Sequence, residues 1–188
     1  MKAALAQARA ALDALLNDAH ALAAAQSLID AVVACYKSGG KAIVCGNGGS
    51  SCDAAHFAEE LTGRFRNDRP AIPALAVTDV GHVTCTANDY GFDAIFSRFV
   101  EAHARPGDAV IVLSTSGNSE NLIRAVQAAK SKRAVTCALL GKGGGKLKGL
   151  CTHEVIVPGA TSDRIQELHM IVLHSLVEHI ERSLHPAS

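Results

Sequence analysis

The chain has 188 residues, 48% of them apolar, and its 18 basic and 18 acidic side chains cancel. That apolar share excludes a disordered chain. The length suits one domain, residues 1–188, with a sizeable core. The charge balance argues against a nucleic-acid binder held by bulk electrostatics. Aromatic residues are only 4% and there is no Trp, so the core must be built from Ala, Val, Leu and Ile. Six cysteines are present and none forms a C-x-x-C pair. No signal peptide and no apolar run long enough to span a membrane is evident. The expectation is a cytoplasmic protein with reduced thiols and no membrane partner.

Residues 2–37 predict one long helix, or two joined near Asn17 and Asp18, with an apolar stripe from Leu5 to Val33. This arm, residues 1–38, precedes an α/β core at 39–188. Gly39 and Gly40 end the arm, and 41–45 reads as strand one. Gly46-Asn47-Gly48-Gly49 follows as a glycine turn that opens a helix running to about Gly63, with Ser50 or Ser51 as its cap. Residues 64–73 read as a polar loop, 74–78 as strand two, 79–88 as a short helix and 88–91 as a turn. Residues 92–104 are helical, 109–113 form strand three, 120–132 a helix and 134–140 strand four. Residues 141–149 read as a Gly/Lys-rich loop, a flexible turn with room for one turn of helix. Strand five is 154–157, and a last helix runs from Asp163 to about Leu184.

The alternation of strands and helices predicts an open parallel sheet with helices on both faces. Ligands in such sheets bind beyond the carboxyl ends of the strands, where strand order reverses. Strands one and three both end in Gly/Ser loops, so their adjacency would make one pocket.

Nucleotide readings fail on inspection. Gly46-x-Gly48-Gly49 lacks the last glycine of G-x-G-x-x-G, where Ser51 stands, and Thr78 stands near the place of the ribose-binding acid. Ser114-Thr115-Ser116-Gly117-Asn118-Ser119 is more informative: four hydroxyls gather at a helix N-terminus, which suits a phosphate monoester held by neutral donors. His56 and Glu60 stand four apart and share a helix face. Gln166, Met170 and His174 form a second such line on the last helix. His169 and His179 lie off that line, and Ile165, Leu168, Ile171, Val172, Leu176 and Val177 read as packing positions. Were His56, Glu60, Gln166 and His174 to converge, two imidazoles, a carboxylate and an amide would suit zinc or a similar divalent ion.

The runs Cys45-Gly46-Asn47-Gly48-Gly49-Ser50, Asp53 to Arg64, Asn88 to Phe92, Ser114 to Ser119 and Asp163 to Glu167 resemble the sugar isomerase (SIS) family over nearly the whole chain. The resemblance is strongest to members acting on a seven-carbon ketose phosphate. It implies a three-layer, flavodoxin-like five-stranded parallel sheet and a homotetramer with active sites at subunit contacts. It implies conversion of sedoheptulose 7-phosphate to D-glycero-D-manno-heptose 7-phosphate, which opens heptose supply for surface glycans. Carried over residue by residue, the metal ligands fall on His56, Glu60, Gln166 and His174, with zinc as the ion. The phosphate loop falls on Ser114, Thr115, Ser116 and Ser119, and sugar contacts on Asn47, Gly48, Gly49, Asn88 and Asp89, with Arg64 near the site. Ser51 departs from a His found in some relatives. Glu60 and His174 are the candidates for proton transfer. The competing expectation is a non-catalytic SIS-domain tetramer, a sugar-phosphate sensor or a scaffold for a replication initiator. The scaffold relative lacks the carboxylate and imidazole that Glu60 and His174 provide here.

Overall fold

The computed structural model describes residues 1–186. Largely apolar runs form β1 (Ala42–Gly46), β2 (Ala74–Ala76), β3 (Ala109–Ser114) and β4 (Val135–Leu140), and the more polar edge stretch His153–Ile156 forms β5. They pair in the order β2-β1-β3-β4-β5, all parallel. Parallel neighbours require crossovers, which helices supply. These are α3 (Gly49–Thr62), α4 (Val80–Tyr90), α5 (Ile95–His103) and α6 (Glu120–Ser131). The arm is two helices, α1 (Lys2–Leu16) and α2 (Ala19–Lys37), and the chain closes with α7 (Ser162–Leu184). The break falls where Asp18 accepts the Ala21 amide and caps α2.

Period-two alternation along the strands divides the core. Ala42, Val44, Ile111, Leu113, Cys137 and Leu139 face one layer with α1, α2, α3 and α7. Ile43, Cys45, Val110, Val112, Ala138 and Leu140 face the other, with α5 and α6. β1, β3 and nearly all of β4 are buried on both faces, which is why they read as continuous apolar runs. Strand order reverses between β1 and β3, so the loops after these two strands form a crevice, as the sheet type requires.

Four local expectations are corrected. Asn88 and Asp89 are not in a turn; they lie in the last turn of α4, which continues until Gly91 takes a φ of +86°. Neither Ser50 nor Ser51 caps α3. Gly48 starts that helix at φ +58°, and Ser50 lies inside it, buried. By contrast, the turn of helix allowed for in the 141–149 loop is present as a 3-10 turn, Lys142–Leu147, tied to the β3–α6 loop by Leu147 N–H to Gly117 O at 2.9 Å. Ile171 is 45% exposed rather than packed. Finally, α2 is long and apolar enough, by length and composition alone, to cross a membrane. Its stripe of Leu28, Ile29, Val32 and Cys35 is instead buried within the core.

His169, which the spacing on α7 did not single out, is fully buried, and neither ring nitrogen has a well-formed hydrogen bond. Burial pushes its imidazole from 6.5 down to about 4, against a smaller upward pull from the Leu140 carbonyl. The folded protein keeps this ring neutral where the unfolded chain takes a proton. Its contribution is therefore complete above about pH 6.5 and is lost as pH falls toward about 4, by roughly 3 kcal/mol across the window. Urea unfolding of the parent and of His169→Leu over that window should show a shallower acid slope in the variant. Equal slopes would rule out this assignment.

Candidate active site

The crevice between the β1 and β3 loops holds a polar hollow of about 200 Å³. Ser114, Thr115, Ser116 and Ser119 line one side, Asn47 and Ser50 another, and Ser162 and Gln166 close it from α7. No Lys or Arg is among the lining residues, so any anion there meets neutral donors. Ser119 stands at the N-cap of α6 and its side chain makes no capping bond. The first amides of α6 thus stay available to an anion, where the helix dipole favours it. The loop itself is braced from within: Ser114 Oγ accepts the Gly117 amide at 3.0 Å. Asn47 is fixed by a reciprocal amide pair with Asn121, both contacts at 3.0 Å.

Along the same two helices lies the titratable cluster. Glu60 Oε1 is 3.2 Å from His56 Nε2 and 3.3 Å from His174 Nε2. The Glu60 side chain is only 8% exposed, while the two imidazoles are open to solvent at one edge. One ligand atom from each of the three lies within 4.8 Å of the others. Glu60 Oε2 is buried and has no hydrogen-bond partner. A buried carboxylate oxygen without a donor is costly. Two imidazole nitrogens converging on such a carboxylate form a donor set that fits a divalent ion. Gln166 sits about two helical turns before His174. Its amide lies 3.4 Å from Ser50 Oγ, at the wall of the serine hollow.

The packing between α3 and α7 thus brings His56, Glu60 and His174 together, and sets Gln166 against Gly49 and Ser50 at the wall of the serine hollow. Gly49 packs against this contact: a Cβ there would stand 2.5 Å from the Gln166 amide, and the Gln166 side chain would have to move to admit it. Gly48 lines a second, more apolar cleft of about 260 Å³, shared with Asn47, Ser51 and Thr78. Asn88 and Asp89 line neither hollow; they bond to each other at 2.7 Å on exposed α4. The Arg64 side chain is exposed and has no ion pair or hydrogen bond among the described residues.

Sequence reasoning missed several residues here. Phe65 stacks on His174 with ring centroids 5.8 Å apart, and its place straight after a helix end gave no periodic signal. Ser162 bonds Thr115 at 3.1 Å, and Asn121 holds Asn47; both are paired only across long stretches of chain. Asp53 lies one turn before His56. Burial raises its carboxyl above the usual range, and the neighbouring His56 partly offsets this.

A hydroxyl-lined hollow at the switch point of a parallel sheet, beside a His/Glu cluster shared by two helices, is the site geometry of an α/β small-molecule-binding domain. The SIS domain profile matches residues 5–141, and the chain belongs to this family. Within it, the chain is 57% identical to the phosphoheptose isomerase of Fusobacterium nucleatum over 151 residues, 80% of this chain and 78% of that one. It is 46% identical to the phosphoheptose isomerase of Vibrio cholerae over 181 residues, covering 96% and 95%. The solved phosphoheptose isomerase of Francisella tularensis superposes with a TM-score of 0.90 at 34% identity, covering 96% of each chain.

Proposed function

We infer that this chain is an aldose–ketose isomerase that converts D-sedoheptulose 7-phosphate to D-glycero-D-manno-heptose 7-phosphate, the entry to bacterial heptose synthesis. The observation that carries the reading is the single oxygen, Glu60 Oε1, lying within 3.3 Å of imidazoles from two separate helices beside a hydroxyl-lined anion hollow. A scaffold or sensor has no need of that cluster.

The reaction moves one proton from C1 of the ketose to C2, through a cis-enediol(ate), while a second proton passes from O1 to O2. Each transfer needs a group able to take up and release a proton, held within reach of the carbon or oxygen. Glu60 and His174 divide these two tasks. Glu60 Oε2, buried and without a partner, is able to accept a proton without breaking an existing bond. Phe65 stacked on His174 limits how far that ring can rotate. The serine loop grips the 7-phosphate, and this remote binding orients the reacting carbons. Asn47, Gly48, Gly49 and Gln166 contact the sugar between the two ends, with Arg64, Asn88 and Asp89 completing the site across a subunit contact.

Zinc is the proposed ion, held by His56, Glu60, Gln166 and His174; when bound it supplies Lewis acidity at the substrate oxygens. A homotetramer is proposed from the apolar side chains left exposed on the arm and α7: Leu5, Leu16, Leu22 and Ile171. Free thiols throughout fit a cytoplasmic setting.

The test is to supply sedoheptulose 7-phosphate and follow the aldose by NMR, with metal content measured on untagged protein. Conversion is the expected result. Binding without turnover in zinc-replete protein would favour the sensor or scaffold reading.

A further inference from the structure

Arg69 lies in the loop after α3, outside every motif, yet its side chain is 3% exposed. Its guanidinium donates to three carbonyls at the end of α3: Glu60 O at 2.5 Å, Leu61 O at 2.6 Å and Gly63 O at 3.2 Å. The remaining edge donates from Nε to Glu181 Oε1 on α7 at 2.8 Å. α3 has no basic residue in its last turn, so its terminal carbonyls and the negative end of its dipole find their cation in Arg69. Only a planar, five-donor guanidinium reaches this many acceptors from one stem.

The placement is informative. Glu60 offers its side chain to His174 and its own carbonyl to Arg69. Glu181 follows His174 by seven residues, two turns on along the same face of α7. α3 and α7 are therefore joined at two successive levels, once by Glu60 to His174 and once by Glu60 through Arg69 to Glu181. The segment between them also follows α7: Phe65 stacks on His174, and Arg66 pairs with Glu178 at 3.2 Å.

We propose that Arg69, anchored by Glu181, is a positioning residue that sets the spacing of Glu60 and His56 on α3 against His174 on α7, and thereby the geometry of the metal and proton-transfer cluster. This rests on the isomerase reading above. A buried Arg–carboxylate pair is weak evidence for stability by itself, since an apolar replacement is often as stable. Its value here is registration of two helices that must agree to a fraction of an ångström.

The test compares the parent with Arg69→Met, Arg69→Lys and Glu181→Gln. Residues that orient metal ligands from outside typically change affinity or activity by about 10- to 100-fold. Arg69→Met should lower kcat at least about tenfold and weaken Co²⁺ affinity, read by titration of the metal alone, by a similar factor. KM should stay within about threefold, because the phosphate loop is held by other elements. Arg69→Lys should recover part of both losses. If Arg69→Met does not fold, Glu181→Gln is decisive, since it keeps an acceptor for Nε but removes the anchoring charge; it should show the same two losses in smaller degree. A lower melting temperature with kcat and Co²⁺ affinity unchanged would reduce Arg69 to a helix cap and overturn the proposal. A parent that neither isomerises nor binds Co²⁺ would instead overturn the functional reading beneath it.

Discussion

Glu60→Gln and His174→Gln should each lose at least about a hundredfold in isomerase turnover while remaining folded, the loss usual for general acid–base groups. Both replacements keep nearly the same volume and some hydrogen-bonding capacity. What they remove is a group able to take up and release the transferred proton and to ligate as strongly. Glu60→Gln carries a second expectation. The parent buries a carboxylate with one oxygen unpartnered and offset only by two solvent-edged imidazoles. Removing that charge relieves a desolvation cost, so the metal-free variant should melt no lower than the metal-free parent. Loss of activity with retained or raised stability is the signature of a functional site held at the expense of stability. Steady-state kinetics and thermal unfolding on the same preparations check both halves. Near-normal turnover in either variant removes that residue from the mechanism.

Gly117→Ala should be the most damaging single-methyl change in the chain. Gly117 has a φ of +66°, and its added Cβ would lie 1.9 Å from the Gly144 carbonyl oxygen. The conformation alone costs a non-glycine residue about 1–2 kcal/mol. The clash is with backbone, so no side-chain rotation relieves it, and the serine loop must part from the Lys142–Leu147 turn. That parting breaks the Leu147 to Gly117 bond and strains the Lys146 amide to Asn118 Oδ1 contact at 3.1 Å. We expect a loss of about 3 kcal/mol or more in urea unfolding. KM for the phosphosugar should rise at least about tenfold, since the hydroxyls proposed to grip the phosphate sit on the displaced loop. Wild-type KM with stability within about 1 kcal/mol would show that the two loops are independent.

These two predictions draw on different kinds of legibility. Ser114 to Ser119 declared itself in sequence because hydroxyls, a glycine and a following helix are contiguous. The partner of that loop did not. Residues 141–149 resemble any flexible Gly/Lys turn, and their role depends on β3 and β4 being adjacent strands in register, Ser114 opposite Leu140. Asn88 and Asp89 were placed in a turn because Asn, Asp and Gly favour turns; Asp79 capping α4 through the His82 amide and the reach of the helix to Gly91 prevailed instead. Ser50 was read as a cap by residue type. With Gly48 already supplying the special backbone, its hydroxyl was free to turn inward toward Gln166.

Local composition and periodicity by themselves determined the alternating elements, the parallel sheet with two covered faces, the helical arm and the Gly/Ser loops after β1 and β3, since each of these depends on residues within a few turns of one another. The convergence of His56 and Glu60 with His174, the orientation of Gln166 and the Arg69–Glu181 link were decided only by the packing of α3 against α7. Those residues lie roughly a hundred positions apart, and no spacing rule along one helix specifies which face of another it will meet; that choice is made by burial of the whole apolar layer between them.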